Sequence, residues 1–468
     1  MRVHEAGALH EEYTGGHGPA WLRMPVDVND LIPQLWARTV NRDDAGVLTV
    51  GGVDVNKLAA EFGTAAYVVD EADFRSRLRD FRGSFSANFP DGAVYYAGKS
   101  FLCKAVARWV AEEGVNLDIC TGGELATAVA AGFPGERLAF HGNNKSEAEL
   151  AAALDAGVGT IVLDSRIEVE RLTRLAKQRG VRPGVMVRTK VGVEAHTHEY
   201  IATAHEDQKF GLSLEAAVKA AKHILAADVL HLKGLHSHIG SQIFETTAFE
   251  VAARRVIGAH EQIQRETGKT LPELGLGGGF GIAYTTQDDP QSPRQLADGL
   301  RKIVDHECDN LGIDIPSITV EPGRAISGPT TFTLYEVGTV KSVDLGAGRV
   351  RSYVSVDGGM SDNIRTAMYG ATYSVTLASR LSDAPPILGR VVGKHCEAGD
   401  IIVRDEFLPG DIKPGDLIAV PGTGAYCRSM ASNYNHVPRP PVVAVADGTA
   451  RLIVRGESVD DLLNLDVG

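Results

Sequence analysis

Short apolar segments alternate with amphipathic segments of helical length between about residues 93 and 323. The apolar segments are rich in β-branched residues. In the amphipathic ones, such as FLCKAVARWVAEEG and GELATAVAAG, Ala, Leu and Val recur at intervals of three and four residues. Near-continuous apolar strands that alternate with helices indicate a parallel sheet covered on its outer face. The eight apolar segments are AVYYAGK, VNLDIC, RLAFHG, TIVLDS, GVMVRTK, LKGLHSHIG, ELGLGGGF and SITVEPG.

Eight such strands predict a closed (β/α)₈ barrel, with an open doubly wound sheet as the alternative. The barrel is favoured by the positions of the unusual residues, which lie at the C-terminal ends of the strands or just beyond them. Barrel enzymes build their active sites on that rim. The residues concerned are Lys99, His238, Gly277, Gly278, Gly279, Glu321 and Arg324.

The pattern changes after Arg324, where alternating or β-rich runs are broken by Gly, Pro and Asp. It predicts an all-β domain, a β-sandwich or barrel-like fold over residues 326–468, following a barrel over residues 66–325. The sequence VLTVGGVDV predicts a hairpin with its turn at the two glycines, so residues 31–65 are expected to pack with the β domain. Residues 1–30 are expected to form a flexible tail.

Composition and charge narrow the class of protein. Of the 468 residues, 44% are hydrophobic and 23% are charged, which is typical of a soluble globular protein. A net charge of -13 argues against nucleic acid or a membrane surface as the main partner, although one basic pocket can still bind a small anion. Five cysteines without a CxxC pair indicate a reducing compartment. With no signal peptide or membrane span in the sequence, we predict a cytoplasmic protein.

Each candidate motif is ambiguous when it is considered alone. The run GGGF, with Gly277 to Gly279, could cradle a phosphate with its backbone N–H groups or form a tight strand-to-helix turn. EPGR could be a turn with an exposed ion pair, and HSHIGSQ a structural histidine pair. Lys99 could be an ordinary surface lysine.

Taken together, the motifs resemble the pyridoxal 5'-phosphate (PLP)-dependent decarboxylases of the alanine-racemase-like fold, and within them the diaminopimelate decarboxylase family. The resemblance runs from about residue 45 to the C-terminus. It implies that meso-2,6-diaminopimelate is converted to L-lysine and CO₂, the last step of lysine biosynthesis, with PLP as the electron sink. The motifs, in the family's order, are YAGKSF, NLDICTGGEL, HGNNKS, VGVEAHTH, HSHIGSQ, GGGFGIAY, EPGR, VDGGMSDNIR, HCEAGD and GAYCRSM.

The resemblance implies roles for the cofactor-binding residues. Lys99 would hold PLP as a Schiff base, Glu321 would keep the pyridine nitrogen protonated, and His238 would lie against the ring. Racemase relatives place a cation at the pyridine nitrogen, so Glu321 favours decarboxylation. The forked donors of arginine suit a phosphate. The other residues expected to bind PLP are Ser241, Gly277, Gly278, Gly279, Gly323, Arg324 and Tyr426.

The resemblance also assigns a catalytic acid and a substrate set. Cys396 would return a proton to the substrate Cα; a buried structural thiol is the alternative. Arg365 would bind the distal carboxylate and Glu397 the distal ammonium, unless Arg365 is an exposed residue paired with Asp362. The family's cysteine reaches the partner subunit's site, which implies a homodimer with shared active sites. The expected substrate-binding residues are Arg324, Arg365, Tyr369, Glu397 and Tyr426.

Two departures from the family and two rival functions stay open. Ala398 replaces the serine that more often follows the Cys-Glu pair, and Ser100 and Phe101 follow the lysine in place of Ala and Asn. The rival functions are a decarboxylase of another basic amino acid, of the ornithine or arginine type, and a catalytically silent PLP-binding regulator. Retention of Lys99, Glu321 and Cys396 counts against silence.

A histidine cluster raises the question of a metal site, since HxH spacing can bind zinc. No cysteine or acidic ligands accompany it at the usual spacing, so no metal is predicted and a loop that borders the barrel mouth is expected. The cluster consists of His196, His198 and His205.

Overall fold

The computed structural model describes residues 19, 21–192, 208–346 and 349–468. The chain divides into two compact units. The β unit combines the residues up to Phe74 with Ile282–Asp289 and Ser327–Gly468, and the barrel unit combines Arg75–Gly281 with Pro290–Ile326. The histidine cluster at His196, His198 and His205 lies outside the described residues.

The N-terminal part of the β unit contains the predicted hairpin. Strands β2 and β3 pair antiparallel across Gly51 and Gly52, whose φ angles of +53° and +83° suit a tight primed turn. Together with β1 they form a three-stranded sheet of their own. The N-terminal elements are β1 (Asn41–Arg42), β2 (Leu48–Val50), β3 (Val53–Asp54), α1 (Val55–Phe62) and β4 (Ala66–Asp70).

The barrel unit contains eight parallel strands that close into a ring, as the sequence pattern predicts. The strands are neighbours in chain order, and the pairings β8 with β9 and β13 with β5 complete the ring. A further short strand, β10, pairs with β9. The strands are β5 (Ala93–Ala97), β6 (Asn116–Ile119), β7 (Leu138–Phe140), β8 (Thr160–Leu163), β9 (Gly184–Lys190), β10 (Leu212–Ser213), β11 (His231–Ser237), β12 (Glu273–Gly278) and β13 (Ser317–Glu321).

Helices connect these strands, and several of them begin at a capping side chain. Ser146 and Ser292 form capping boxes with Glu149 and Gln295. The helices are α2 (Glu71–Asn88), α3 (Lys104–Glu112), α4 (Gly122–Ala130), α5 (Glu147–Asp155), α6 (Arg166–Arg179), α7 (Leu214–Ala227), α8 (Thr247–Thr267), α9 (Pro293–Leu311) and α10 (Arg324–Ser327). Within the described part of the chain, no helix is both long enough and apolar enough to cross a membrane.

The C-terminal part of the β unit is built of strands, which confirms the predicted all-β domain. The sheet runs in the order β18-β17-β15-β14-β4-β20-β21, with β19 paired to β14 and β16 paired to β19. The elements are β14 (Thr331–Gly346), β15 (Arg349–Val356), α11 (Arg365–Tyr369), β16 (Thr376–Leu377), β17 (Pro386–Val392), β18 (Ile401–Pro409), β19 (Leu417–Pro421), β20 (Val442–Ala446), β21 (Thr449–Val454) and α12 (Val459–Leu463).

The expected start of the barrel at residue 66 is wrong. Ala66–Asp70 pairs antiparallel with β14 and parallel with β20, so it is a central strand of the β unit. Its sequence, AYVVD, is buried at every position, as a barrel strand would be. Because a strand buried on both faces has the same continuous apolar pattern in either sheet, the pattern alone does not assign it. Residues 31–65 contribute Leu35, Trp36 and Leu48 to the core of the β unit.

Candidate active site

Five polar side chains lie buried at or near the C-terminal ends of barrel strands. Asp118 lies in β6, Arg188 in β9 and His236 in β11, His141 follows β7 directly, and Glu321 is the last residue of β13. The sequence analysis assigned a role only to Glu321. The other four lie in the apolar segments or motifs already quoted. Their signal was a polar residue close to the C-terminal end of an otherwise apolar strand.

Glu321 is the centre of this cluster. Its Oε1 atom accepts a hydrogen bond from His236 Nε2 at 2.8 Å. The Nε2 atom of His141 lies 3.5 Å from the same oxygen and 3.6 Å from Asp118 Oδ1. The two imidazole rings contact each other edge to face, with centroids 4.9 Å apart. One carboxylate oxygen is therefore approached by two histidines that come from different strands.

The electrostatics of the cluster separate its two carboxyl groups. Burial alone would raise the pKa of Glu321, but His236 and His141 outweigh burial and hold that pKa well below its usual range. Burial and then the charge of Glu321 raise the pKa of Asp118 well above its usual range, against the opposing charge of Lys99. The surroundings therefore favour the ionised form of Glu321 and the protonated form of Asp118. Burial also lowers the pKa of His141, against the opposing charge of Glu321.

Lys99 lies on a short 3₁₀ turn, Gly98–Ser100, that follows β5 directly. A Cβ atom on Gly98 would lie 2.8 Å from the Asp118 carbonyl oxygen, so the turn packs tightly against β6. Ser100 is buried and donates a hydrogen bond to the Ala97 carbonyl at 2.8 Å. The Lys99 side chain is exposed, yet its charge lowers the pKa of the buried Asp118 and of His238. A tightly packed turn thus carries the long side chain of Lys99, whose amine acts electrostatically on the buried cluster.

His238 follows the end of β11 and is buried. Its Nδ1 atom accepts a hydrogen bond from the Gly278 backbone N–H at 3.2 Å, so the proton of the neutral ring is assigned to Nε2. Burial, followed by the positive charges of Lys99 and Arg188, lowers the pKa of His238 well below its usual range. The ring is therefore neutral and held at one nitrogen.

The glycine run Gly277–Gly279, at the end of β12, leaves no room for side chains. A Cβ atom on Gly278 would lie 2.0 Å from the Glu321 carbonyl oxygen, and one on Gly279 would lie 2.4 Å from that of Gly240. Gly277 and Gly279 also have positive φ angles, of +71° and +103°. The next helix begins only at Pro293, so the run is not a tight strand-to-helix turn.

A second group of donors lies beside this run. Arg324 is buried, and its Nε and Nη2 atoms donate to Ser241 Oγ at 3.3 and 3.0 Å. A forked guanidinium beside a hydroxyl group suits a phosphate. With an ionised carboxylate at Glu321 and an amine at Lys99, the donor set of the barrel unit fits PLP at its phosphate, ring nitrogen and aldehyde.

The same cluster contains a possible metal-binding set. Ligand atoms of His141, His236 and Glu321 all lie within 4.8 Å of one another. The hydrogen bond from His236 already accounts for the approach of that histidine to the carboxylate.

The β unit holds the remaining predicted residues. Arg365, the first residue of α11, is buried, donates to the Tyr373 hydroxyl and lies 4.6 Å from the centroid of the Tyr284 ring. Among the described residues, its Nε atom has no hydrogen-bond partner. Asp362 instead accepts hydrogen bonds from the Tyr335 hydroxyl and the Gly359 backbone. The alternative of an exposed Arg365 paired with Asp362 is therefore wrong.

The half-buried Tyr369 lies four residues after Arg365 and ends α11. Residues four apart share one face of a helix, so both side chains point to the same side of α11. A second link to this region comes from Tyr426, whose φ of +60° is uncommon for a non-glycine residue. The adjacent thiol of Cys427 lies 3.7 Å from the Tyr373 hydroxyl, which also accepts the hydrogen bond from Arg365.

Cys396 and Glu397 lie in the loop between β17 and β18. Cys396 is exposed and Glu397 is half-buried, so the alternative of a buried structural thiol at Cys396 is wrong. The loop is held by Asp400, whose carboxylate accepts hydrogen bonds from the backbone of His395 at 2.8 Å and of Met360 at 2.6 Å. These hydrogen bonds therefore hold the loop that carries the Cys396 thiol, which is exposed in the single chain.

Comparison with known proteins identifies the family. Residues 71–328 match the model of the pyridoxal-dependent decarboxylase, pyridoxal binding domain. The diaminopimelate decarboxylase of Mycobacterium tuberculosis is 57% identical over 443 residues, which cover 93% of this chain and 98% of that protein. That of Mycobacterium leprae is 53% identical over 474 residues and covers 100% of both chains.

A solved structure agrees with these relatives. The crystal structure of diaminopimelate decarboxylase from M. jannaschii, in co-complex with L-lysine, superposes with a TM-score of 0.85 at 29% identity. The alignment covers 92% of this chain and 98% of that one. The eight-stranded ring and the β unit agree with this likeness of fold. The chain belongs to the diaminopimelate decarboxylase family of PLP-dependent decarboxylases.

Proposed function

We propose that this chain converts meso-2,6-diaminopimelate to L-lysine and CO₂, with PLP held in the barrel unit and the substrate selected by residues of the β unit. The observation that carries the proposal is the buried, ionised carboxylate of Glu321 beside a lysine-bearing strand end. When bound, PLP acts as an electron sink for the electron pair released as CO₂ leaves. An ionised carboxylate at the ring nitrogen keeps that nitrogen protonated and so strengthens the sink.

Each barrel residue has one task in this proposal. Lys99 holds the cofactor covalently, because its long side chain starts from a tightly packed turn. Arg324, Ser241 and the glycine run bind the phosphate; Gly323 and Tyr426 complete the cofactor contacts that the family pattern implies. His238 lies against the ring, and its neutral state keeps a second positive charge away from the ring nitrogen.

The β unit supplies the proton and the selectivity. Cys396 donates its thiol proton to Cα after CO₂ has left, which yields L-lysine. Arg365 binds the distal carboxylate through its Nε–H, and Tyr369 lies beside it on α11. Glu397 binds the distal ammonium. A buried guanidinium suits a substrate with a distal carboxylate and disfavours ornithine, whose distal group is a cation.

We further propose a homodimer in which Cys396 acts in the active site of the partner subunit. Two points support it: the exposure of the thiol in the single chain and the family pattern of the HCEAGD motif. We also propose a cytoplasmic location. All five cysteines are free thiols, which suits a reducing compartment.

The test is to incubate the PLP-loaded protein separately with meso-diaminopimelate, ornithine and arginine and to measure CO₂ and product. We expect lysine and CO₂ from meso-diaminopimelate and no comparable turnover of the other two. Equal or greater turnover of ornithine would overturn the substrate assignment. Absence of turnover with all three, despite bound PLP, would favour the silent regulator.

A further inference from the structure

The two histidines beside Glu321 are not explained by cofactor contacts. His141 follows β7 and His236 lies in β11, and both direct Nε2 at the same carboxylate oxygen. His236 is almost completely buried, with 1% of its surface exposed. Such a pair of buried rings around one carboxylate is costly to build without a role, because each buried polar group must be satisfied.

The surroundings of Glu321 show why the carboxylate needs this help. Burial alone would favour its protonated form, and a second carboxyl group, that of Asp118, lies 3.6 Å from His141 Nε2. The cations in reach are Lys99 and Arg188, whose charges act on the whole cluster. His238 also favours the ionised form of Glu321, but its contribution is smaller than those of His141 and His236.

The two histidines differ in geometry. His236 makes the short hydrogen bond to Glu321, at 2.8 Å. The Nε2 atom of His141 faces both carboxyl groups, at 3.5 Å from Glu321 and 3.6 Å from Asp118. We propose that His141 and His236 are positioning residues that hold Glu321 ionised and aimed at the ring nitrogen of PLP. This inference rests on the proposed role of Glu321.

A direct test compares PLP with its deaza analogue, in which a carbon atom replaces the ring nitrogen. Binding of each to the apoenzyme is measured by the absorbance of the bound cofactor. Only PLP can contact the carboxylate through its ring nitrogen. A positioning role for His141 and His236 therefore predicts that loss of their contacts weakens the binding of PLP and leaves the binding of the analogue unchanged. This readout does not depend on turnover.

Matched substitutions separate the hydrogen bond from the bulk of the ring. In His236→Gln the side-chain amide replaces Nε2, whereas in His236→Asn it replaces Nδ1 and does not reach Glu321. We expect His236→Asn to weaken PLP binding by about tenfold relative to the analogue, which is the effect of one charge-assisted hydrogen bond. We expect His236→Gln to restore most of this preference. The Asn and Gln variants of His141 should change the preference for PLP in the same order but by less, because His141 lies farther from Glu321 than His236 does.

The controls separate this inference from the proposed role of Glu321. His260 is a buried histidine on α8, and His260→Asn should leave the ratio of PLP to analogue affinity unchanged. Glu321→Gln should lower that ratio; if it does not, the proposed role of Glu321 is wrong. If Glu321→Gln lowers the ratio but the Asn variants at His141 and His236 leave it unchanged, the positioning inference is overturned. Equal losses in the Asn and Gln variants would also overturn it.

Discussion

The barrel unit and the β unit hold their candidate site residues by different means. In the barrel, functional side chains leave the ends of parallel strands, and buried hydrogen bonds fix them, as between His236 and Glu321. In the β unit they lie on a short helix and on loops, where Arg365 is packed against aromatic rings and Tyr426 has a left-handed backbone. Under the proposed roles, the cofactor chemistry therefore rests on a hydrogen-bonded charged array at strand ends, whereas substrate selection rests on connecting segments.

Burial shifts pKa values in opposite directions for the histidines of the barrel unit and for the acids of the β unit. In the barrel unit burial favours neutral histidines, and it lowers the pKa of His260 to about 4. In the β unit burial favours protonated acids, and it raises the pKa of Asp362 and of Glu406 to about 7. Acid therefore removes the stabilisation from His260, and neutral to alkaline pH removes that from Asp362 and Glu406.

The largest expected effect is in the barrel. Lys99→Ala should abolish the visible absorbance of bound PLP and lower kcat by about a thousandfold or more, because the covalent link to the cofactor is lost. Absorbance spectra and steady-state rates measure both effects. Lys104→Ala, at an exposed lysine five residues away, is the control and should retain both. Survival of the visible band in Lys99→Ala would mean that another lysine holds PLP.

The next effect tests whether the two units act together across subunits. Cys396→Ala should lower kcat by about a hundredfold or more and change PLP affinity by less than about twofold, since the thiol acts at the protonation step. Mixing this variant with Lys99→Ala should restore activity, because hybrid dimers contain one site with both wild-type residues. Cys308→Ala controls for the loss of a thiol. No recovery, despite proven subunit exchange, would contradict shared sites.

A smaller effect concerns selection by the β unit. Arg365→Met should lower kcat/KM for meso-diaminopimelate by about a hundredfold, the loss expected when a buried charge-assisted contact to the distal carboxylate is removed. Binding of PLP should be unaffected. Arg455→Met, at an arginine paired with Asp461 on the surface, is the control. An unchanged preference for meso-diaminopimelate over ornithine would show that another residue reads the carboxylate.

The smallest effect is on stability and has opposite signs in the two units. Glu406 has a pKa of about 7 in the folded chain against an ordinary 4.5, so its stabilisation is complete below pH 4.5 and is lost as the pH rises through 7. His260, at about 4 against 6.5, contributes stabilisation that is complete above pH 6.5 and is lost as the pH falls towards 4. Each contribution is on the order of 3 kcal/mol.

Unfolding measured as a function of pH distinguishes the two groups. Glu406→Gln should flatten the dependence between about pH 5 and 7, and His260→Gln should flatten it between about pH 4 and 6.5. Each variant serves as the control for the other. If both variants flattened the pH dependence of unfolding over the same pH range, the assignment of opposite effects to Glu406 and His260 would be wrong.

Much of the fold could be predicted from the chain. The eight barrel strands follow from apolar runs that alternate with helical periodicity, because each strand is buried on both faces and each helix on one. The hairpin at Gly51 and Gly52 follows from local turn chemistry. The strand Ala66–Asp70 was assigned to the wrong unit, since its partners β14 and β20 lie more than 250 residues away in the sequence.

The site was predictable in part for similar reasons. Lys99, Glu321 and Arg324 were singled out because they follow strands, and the motifs assigned them roles by resemblance. Asp118, His141 and His236 were missed because a single polar residue in an apolar strand has no partner that the sequence reveals. The burial of Arg365 and the exposure of Cys396 likewise depend on packing that no local pattern encodes.

By itself the sequence determined the succession of strands and helices, the family, and the residue types available at the strand ends, because these depend on local periodicity and on motif order. The tertiary structure alone decided that one strand near residue 66 belongs to the β unit. It also decided that two histidines and a second carboxyl group surround Glu321, and that Glu321 is the ionised member of the pair. Distance and burial set the pKa of a carboxyl group, and only the closure of the barrel brings both histidines within 4 Å of Glu321 and His141 within 4 Å of Asp118.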